Sequence, residues 1–258
     1  MEAQSRRSHG AGGISAGVTD YVMRILLLLL LVTVGCSKTG AADPSPPTNT
    51  VFRPTFLMEE GSFSAGTAFV CEYPEGSHLL LTAHHLFGTG GGLESETEWN
   101  QLNQIIKLTV GLSLHDANVS VVSKEALLIP GARSLGKAGL NDDIAAFKLV
   151  DDKSRPYLKL AKTLPKVGER LWLYGRQLGK DHAELIPCTV TRSNAKQLDY
   201  RVDRKDFEVR ATSGAPVLNS DGLVVAVNIG GREAGNDFIG CGNPSTSVIA
   251  HLQEALKK

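Results

Sequence analysis

Three short segments carry side chains that together can do nucleophilic chemistry. They are Leu81-Thr82-Ala83-His84-His85, Asn141-Asp142-Asp143-Ile144-Ala145 and Thr212-Ser213-Gly214-Ala215-Pro216-Val217. A serine hydroxyl attacks a carbonyl only when a neighbouring base takes its proton, and that base needs a carboxylate to hold its tautomer and orientation. Ser213 is the nucleophile in this reading, in a turn where Gly214 permits a tight backbone path. The base is one of two neighbours, His84 and His85, which spacing alone does not separate. The carboxylate is Asp143, because the apolar run Ile144-Ala145-Ala146-Phe147 starts directly after it and holds it at a strand's entry; Asp142 is expected to face solvent. His78, His115, His182 and His251 read as surface or packing residues.

The elements that must position these groups are mostly strands. Short β-branched runs bounded by Gly, Pro, Asn or Asp predict strands over 67–73, 78–82, 106–112, 119–124, 144–150, 169–174, 186–192, 198–202 and 223–229. Val217 to Leu223 reads as a strand, a tight Asp221-Gly222 turn and a returning strand. Two helices are expected, over 94–105 and over 247–257. The second is amphipathic, with Val248, Leu252 and Leu256 at helical spacing. Many short strands with turn signals imply a barrel or a sandwich and do not separate the two.

The chain resembles the chymotrypsin/trypsin-like serine peptidases, in particular their bacterial members. Leu81-Thr82-Ala83-His84-His85 is similar to the family's Thr-Ala-Ala-His segment, Asp143-Ile144-Ala145 to its Asp-Ile-Ala segment, and Ser213-Gly214-Ala215-Pro216 to its Ser-Gly-Gly-Pro segment. Gly66-Thr67-Ala68-Phe69-Val70 resembles the strand that precedes the histidine. The resemblance runs from about Gly61 to His251 and selects His85 over His84. It implies an all-β fold of two six-stranded β-barrels with a C-terminal helix, the site lying in the cleft between them. The first barrel, 55–150, then carries His85 and Asp143, and the second, 151–258, carries Ser213. The implied activity is serine endopeptidase through an acyl-enzyme, acting on protein or peptide substrates.

The resemblance also implies an oxyanion hole, made by the backbone N–H groups of Ser213 and of the residue two before it. The family usually has Gly there, and this chain has Ala211. A left-handed conformation costs Ala about 1–2 kcal/mol, so the departure points to a slow or conditionally active peptidase, or to a peptidase fold kept as a binding or sensing module. By the same resemblance Phe207 forms the floor of the primary substrate pocket, and Asn228, Ile229 and Gly230 form the opposite wall. The acids Asp206 and Glu208 flank Phe207, so a slip of one residue would reverse the preference.

The front of the chain reads as a targeting segment. Met23-Arg24 precedes an apolar run over 25–32, which ends at Thr33-Val34-Gly35-Cys36. A basic start, a short apolar run and small residues make a secretory signal, and Gly before Cys resembles a lipoprotein signal in which Cys36 is acylated. Residues 1–22 fit neither part and point to Met23 as the true first residue. Residues 37–54, rich in Pro, Ser, Thr and Ala, read as a flexible tether. The expected localisation is therefore exported, membrane-anchored through lipid on Cys36 and facing the periplasm or cell exterior.

The chain of 258 residues carries 27 basic and 27 acidic side chains, a balance that gives no reason to expect nucleic acid as a partner. Without the first 36 residues, about 220 remain, enough for one large all-β unit or two small barrels. Beyond Cys36 the cysteines are Cys71, Cys188 and Cys241. An odd count in an exported protein leaves at least one free thiol or an intermolecular bond; Cys188–Cys241 is one possible bridge, and three buried thiols is the other reading. Cysteine spacings match no zinc pattern, and neither a metal nor a cofactor is expected. An α/β-hydrolase esterase would need Gly-x-Ser-x-Gly and the order Ser, Asp, His, and the chain has neither.

Overall fold

The computed structural model describes residues 42–134, 140–150 and 155–257. The targeting segment, with Cys36, and residues 151–154 at the expected join between barrels lie outside them. The described chain forms two closed six-stranded antiparallel β-barrels and a C-terminal helix. The first barrel is built from β1 (Val51–Leu57), β3 (Ala68–Glu72), β4 (His78–Thr82), β5 (Leu108–Ser113), β6 (Ser120–Leu127) and β7 (Ala145–Leu149), with the short β2 (Ser62–Ser64) as a spur on β1. β1 closes the ring, pairing with β3 at its start and with β5 along the rest of its length. The second barrel runs in the order β10 (Gln197–Val202), β13 (Asp237–Pro244), β12 (Val224–Ala234), β11 (Pro216–Leu218), β8 (Arg170–Gly175) and β9 (Glu184–Asn194). Among the described residues no helix is long and apolar enough to cross a membrane.

Each barrel has its own core, and a further core joins them. Phe52, Phe56, Phe87 and Phe147 fill the first barrel, with Phe87 edge-on to Phe56 at 4.7 Å. Leu171, Leu173, Ile186, Tyr200 and Val217 fill the second. Phe69, Leu81, Tyr174, Leu218 and Val227 meet between the two, capped by Val248 and Leu252. Those last two come from α2 (Ser245–Ala255), whose buried positions recur at helical spacing. Because this shared core is apolar and continuous, it fixes the two barrels relative to one another.

Three elements differ from the sequence reading. β1 begins inside the stretch read as tether, and Asp43 is already anchored, accepting a hydrogen bond from Trp172 Nε1 at 3.1 Å. Pro54 sits within β1, which hid it, since proline is rare in a strand interior. In place of one helix over 94–105 there is a 3-10 turn, Trp99–Gln101, followed by the single turn α1 (Leu102–Ile105). The strand expected to end at 229 runs on: β12 continues to Ala234 and meets β13, unread in the sequence, through Gly235-Asn236. Of the two readings of the cysteines, that of unbridged thiols holds: Cys71 and Cys188 are buried, Cys241 is partly exposed, and all three are free. Cys188 and Cys241 lie on strands that flank β10 on opposite sides. Two strand spacings come to about 9.5 Å, beyond the roughly 7 Å that a disulfide can bridge.

Candidate active site

Strand register brings the histidine and the aspartate together. β4 and β7 are antiparallel, with Thr82 opposite Ala145. Residues just after Thr82 therefore lie beside residues just before Ala145. A 3-10 turn, His84–Phe87, follows β4 and is pinned to the barrel by Phe87. In this turn His85 donates its backbone N–H to Asp143 Oδ1 at 2.9 Å, and its Nδ1 lies 2.8 Å from Asp143 Oδ2. Both side chains are buried. Asp143 thus holds His85 at two points, one on the backbone and one on the imidazole. With the Nδ1 proton directed at a carboxylate, Nε2 keeps its lone pair and is free to accept a proton.

The neighbouring His84 and Asp142 are held differently. His84 is 1 % exposed, and neither ring nitrogen has a hydrogen-bond partner among the described residues. Burial holds its imidazole below the ordinary histidine pKa, outweighing the opposite pull of Asp143, Glu96 and Glu98. Asp142 accepts from Arg133 at 2.7 Å and faces His251 at 3.4 Å, so it is paired rather than simply solvated. The turn that carries both aspartates is tied to the second barrel and α2. Asn243 Nδ2, Ser247 Oγ and His251 Nε2 all reach the Asn141 carbonyl, at 3.0, 3.1 and 2.9 Å.

Ser213 comes from the second barrel and packs against the same place. Thr67 donates its N–H to the Ser213 carbonyl at 2.7 Å. Gly214 has φ +84°, and a Cβ there would overlap Thr67 O and Thr82 Oγ1 and crowd Ala83 N; the position admits only glycine. Ala83 and Leu86, which bracket the two histidines, pack with Ile229. The Ser213 hydroxyl donates to the Ile229 carbonyl at 3.0 Å, and no hydrogen bond joins it to His85 among the described residues. Ile229 sits where the β12–β13 register shifts, a bulge that re-aims its carbonyl.

The turn before Ser213 is closed by Thr212 N–H donating to Val209 O at 3.1 Å. Ala211 adopts φ +70°. A positive φ at the third residue only is the signature of a type II turn. The Ala211 carbonyl accepts from Thr67 Oγ1 at 2.8 Å and from Arg53 Nη1 at 3.4 Å. Arg53 also donates to Gly66 O, and burial beside Arg176 draws its guanidinium down to about 10. The N–H groups of Ala211 and Ser213 have no intramolecular acceptor among the described residues.

The expected pocket residues have varied placements. Phe207 is half-buried and packs on Phe238 with ring centroids 5.0 Å apart. Its neighbours are engaged: Glu208 with Arg210 at 2.8 Å, which holds that carboxyl down to about 2, and Asp206 with Arg204 at 4.0 Å. Asn228 is 1 % exposed and turns its side chain toward Thr212. Ile229 is buried between the barrels, and Gly230 follows it on β12. Sequence reasoning missed Thr67, Arg53 and Asn243 as cross-barrel contacts. Thr67 lies in a segment the resemblance had singled out, but its partner is 144 residues away.

Comparison with known proteins accords with this architecture. No curated protein matches the chain. Among solved structures, a Glu endopeptidase in complex with MPD is 15 % identical, with a TM-score of 0.56 over 82 % of this chain and 91 % of that one. The thermostable serine protease AL20 from an extremophilic microorganism is 14 % identical, with a TM-score of 0.56 over 82 % and 99 %. The active form of the Rv3671c protease from M. tuberculosis is 16 % identical, with a TM-score of 0.53 over 86 % and 92 %. At such identities the likeness is one of fold. The family model for the trypsin-like peptidase domain matches residues 66–227, more than half of the chain, and the chain belongs to that family.

Proposed function

We propose that this chain is a serine endopeptidase with Ser213 as nucleophile, His85 as general base and then acid, and Asp143 as the orienting carboxylate. The observation that carries the reading is the buried two-point contact of Asp143 with His85. Ser213 swings its hydroxyl from the Ile229 carbonyl to His85 Nε2 and attacks the peptide carbonyl carbon. The proton passes to Nε2, and the new oxyanion is met by the N–H groups of Ala211 and Ser213. Collapse of the adduct breaks the C–N bond, and His85 returns the proton to the leaving amine. Water, deprotonated by His85, then releases the acid from the acyl-enzyme. Beyond Asn228, β12 pairs with β13 on one side only. That open edge, from Ile229 onward, supports addition of an extended peptide by backbone hydrogen bonds.

The reading is tested by incubating residues 42–258 with a peptide pool and mapping new termini by mass spectrometry. Cleavage that vanishes in Ser213→Ala and in His85→Ala supports it; cleavage that persists in either refutes it. The engagement of Ser213 with Ile229 favours one variant of this reading, a hydroxyl that is turned away until substrate arrives. We further propose that the protein is exported and lipid-anchored at Cys36, on the strength of the targeting segment alone. Palmitate labelling should depend on Cys36, and an unlabelled, freely soluble mature protein would defeat that claim.

A further inference from the structure

We propose that Asn228, on β12, is a positioning residue that aims the Ser213 N–H at the reacting carbonyl. The proposal rests on the reading of Ser213 as nucleophile. Asn228 Nδ2 donates to the Thr212 carbonyl at 2.8 Å and to Thr212 Oγ1 at 3.0 Å, while Asn228 Oδ1 accepts from Tyr200 O–H at 2.6 Å. The amide orientation is settled by chemistry: a carbonyl can only accept, and Thr212 Oγ1 already gives its proton to Val209 O at 2.6 Å, so the NH2 end must face Thr212. Every polar atom of this buried side chain is therefore matched, the condition under which a buried network rigidifies its surroundings.

The consequence follows from peptide geometry. The Thr212 carbonyl and the Ser213 N–H belong to one planar trans peptide and point in opposite directions. Drawing the carbonyl toward Asn228 turns the N–H away from it. That N–H meets no acceptor among the described residues, as an oxyanion donor should not before substrate binds. The backbone of Asn228 adds to the hold, its carbonyl accepting from Gly214 at 2.7 Å and its N–H donating to Ala215 O at 2.8 Å. Three successive carbonyls, those of Ala211, Thr212 and Ser213, are each held, the middle one by the Asn228 side chain and the other two by Thr67.

Asn228→Asp is nearly isosteric and replaces the donor with a carboxylate oxygen that faces the Thr212 carbonyl. It should lower kcat on a cleaved peptide by about 10²–10³-fold, the usual loss when one oxyanion donor is misplaced, with KM within about threefold. A peptide aldehyde, whose carbonyl becomes an oxyanion when Ser213 Oγ adds to it, should lose affinity by a similar factor. Binding of the uncleaved peptide to Ser213→Ala/Asn228→Asp should match that of Ser213→Ala. Tyr200→Phe, which frees only Oδ1, should show the same pattern at severalfold. Backbone amide exchange over 209–215 should quicken in both variants. If Asn228→Asp does not fold, Tyr200→Phe carries the test alone. Wild-type kcat, or equal losses in kcat/KM and in peptide binding, would overturn the proposal. So would wild-type exchange over 209–215, which decides the question even in a protein that cleaves nothing; absence of all cleavage would instead sink the proposed function.

Discussion

The two halves of the site are held in different ways. The His85–Asp143 half belongs to the first barrel and follows from the pairing of β4 with β7: Thr82 opposite Ala145 leaves little freedom in where the next residues fall. The Ser213 half belongs to the second barrel but leans on the first. Thr67 donates to the carbonyls of both Ala211 and Ser213, Ala211 stands in a left-handed conformation, and the Ser213 hydroxyl rests on Ile229. A base can be set by local strand geometry. A nucleophile with an oxyanion hole needs several peptides aimed at once, and under the proposed function contacts from both barrels would aim them.

Substitutions should separate the halves. The largest effect is expected at the shared chemistry. Ser213→Ala and His85→Ala should each reduce turnover at least about 10³-fold, and the double variant should be no worse than either single one, because the pair acts as a unit. Losses that multiply would mean that the two side chains do not work on the same step. A smaller effect is expected from the lean of one barrel on the other. Thr67→Val removes one donor from the Ala211 carbonyl and should lower kcat about tenfold, as one lost hydrogen bond of about 1.4 kcal/mol would. Thr67→Ser should restore it; a serine variant as poor as valine would show that packing, not the hydroxyl, matters.

Ala211→Gly probes the turn itself. Strain relief of about 1–2 kcal/mol in the folded state is opposed by roughly 0.5–1 kcal/mol of added backbone freedom in the unfolded chain. Thermal stability should stay equal or rise by up to about 1.5 kcal/mol, with turnover within about threefold of wild type. A much larger gain in turnover would mean that Ala211 keeps the hole unformed at rest. His84→Leu should retain most activity, and a loss equal to that of His85→Ala would reverse the choice of histidine. Burial keeps His84 below its ordinary pKa, so as pH falls below about 6.5 the unfolded chain takes up the proton first and stability is lost. His84→Leu should flatten that acid limb of a thermal melt; an unchanged limb would remove His84 as a cause. The smallest difference concerns thiols. Cys241, partly exposed and raised to about 11, should alkylate before Cys71 and Cys188, which are buried and raised further.

What could be read in the chain follows the same division. The strand before His85 and the strand after Asp143 are continuous apolar runs, so their ends were legible and the facing of Asp143 followed. Gly214 was legible too, because only glycine fits between Thr67, Thr82 and Ala83. β1 was not, since Pro54 and the proline-rich stretch before it mask a strand that closes a barrel. The resemblance implies a pocket-wall place for Asn228 beside Ile229 and Gly230; its side chain bonds Thr212, and no local pattern marks that. Thr67 and Arg53 act across the barrel interface, where partners far apart in sequence meet only after both barrels close.

The most direct test is the rate at which a fluorophosphonate labels Ser213 in residues 42–258, beside Ser213→Ala and His85→Ala. A hydroxyl activated by His85 and Asp143 should label in the wild-type protein and in neither variant. A folded wild-type protein that stays unlabelled, or a His85→Ala variant that labels as fast, would contradict the assignment of these residues to one catalytic site.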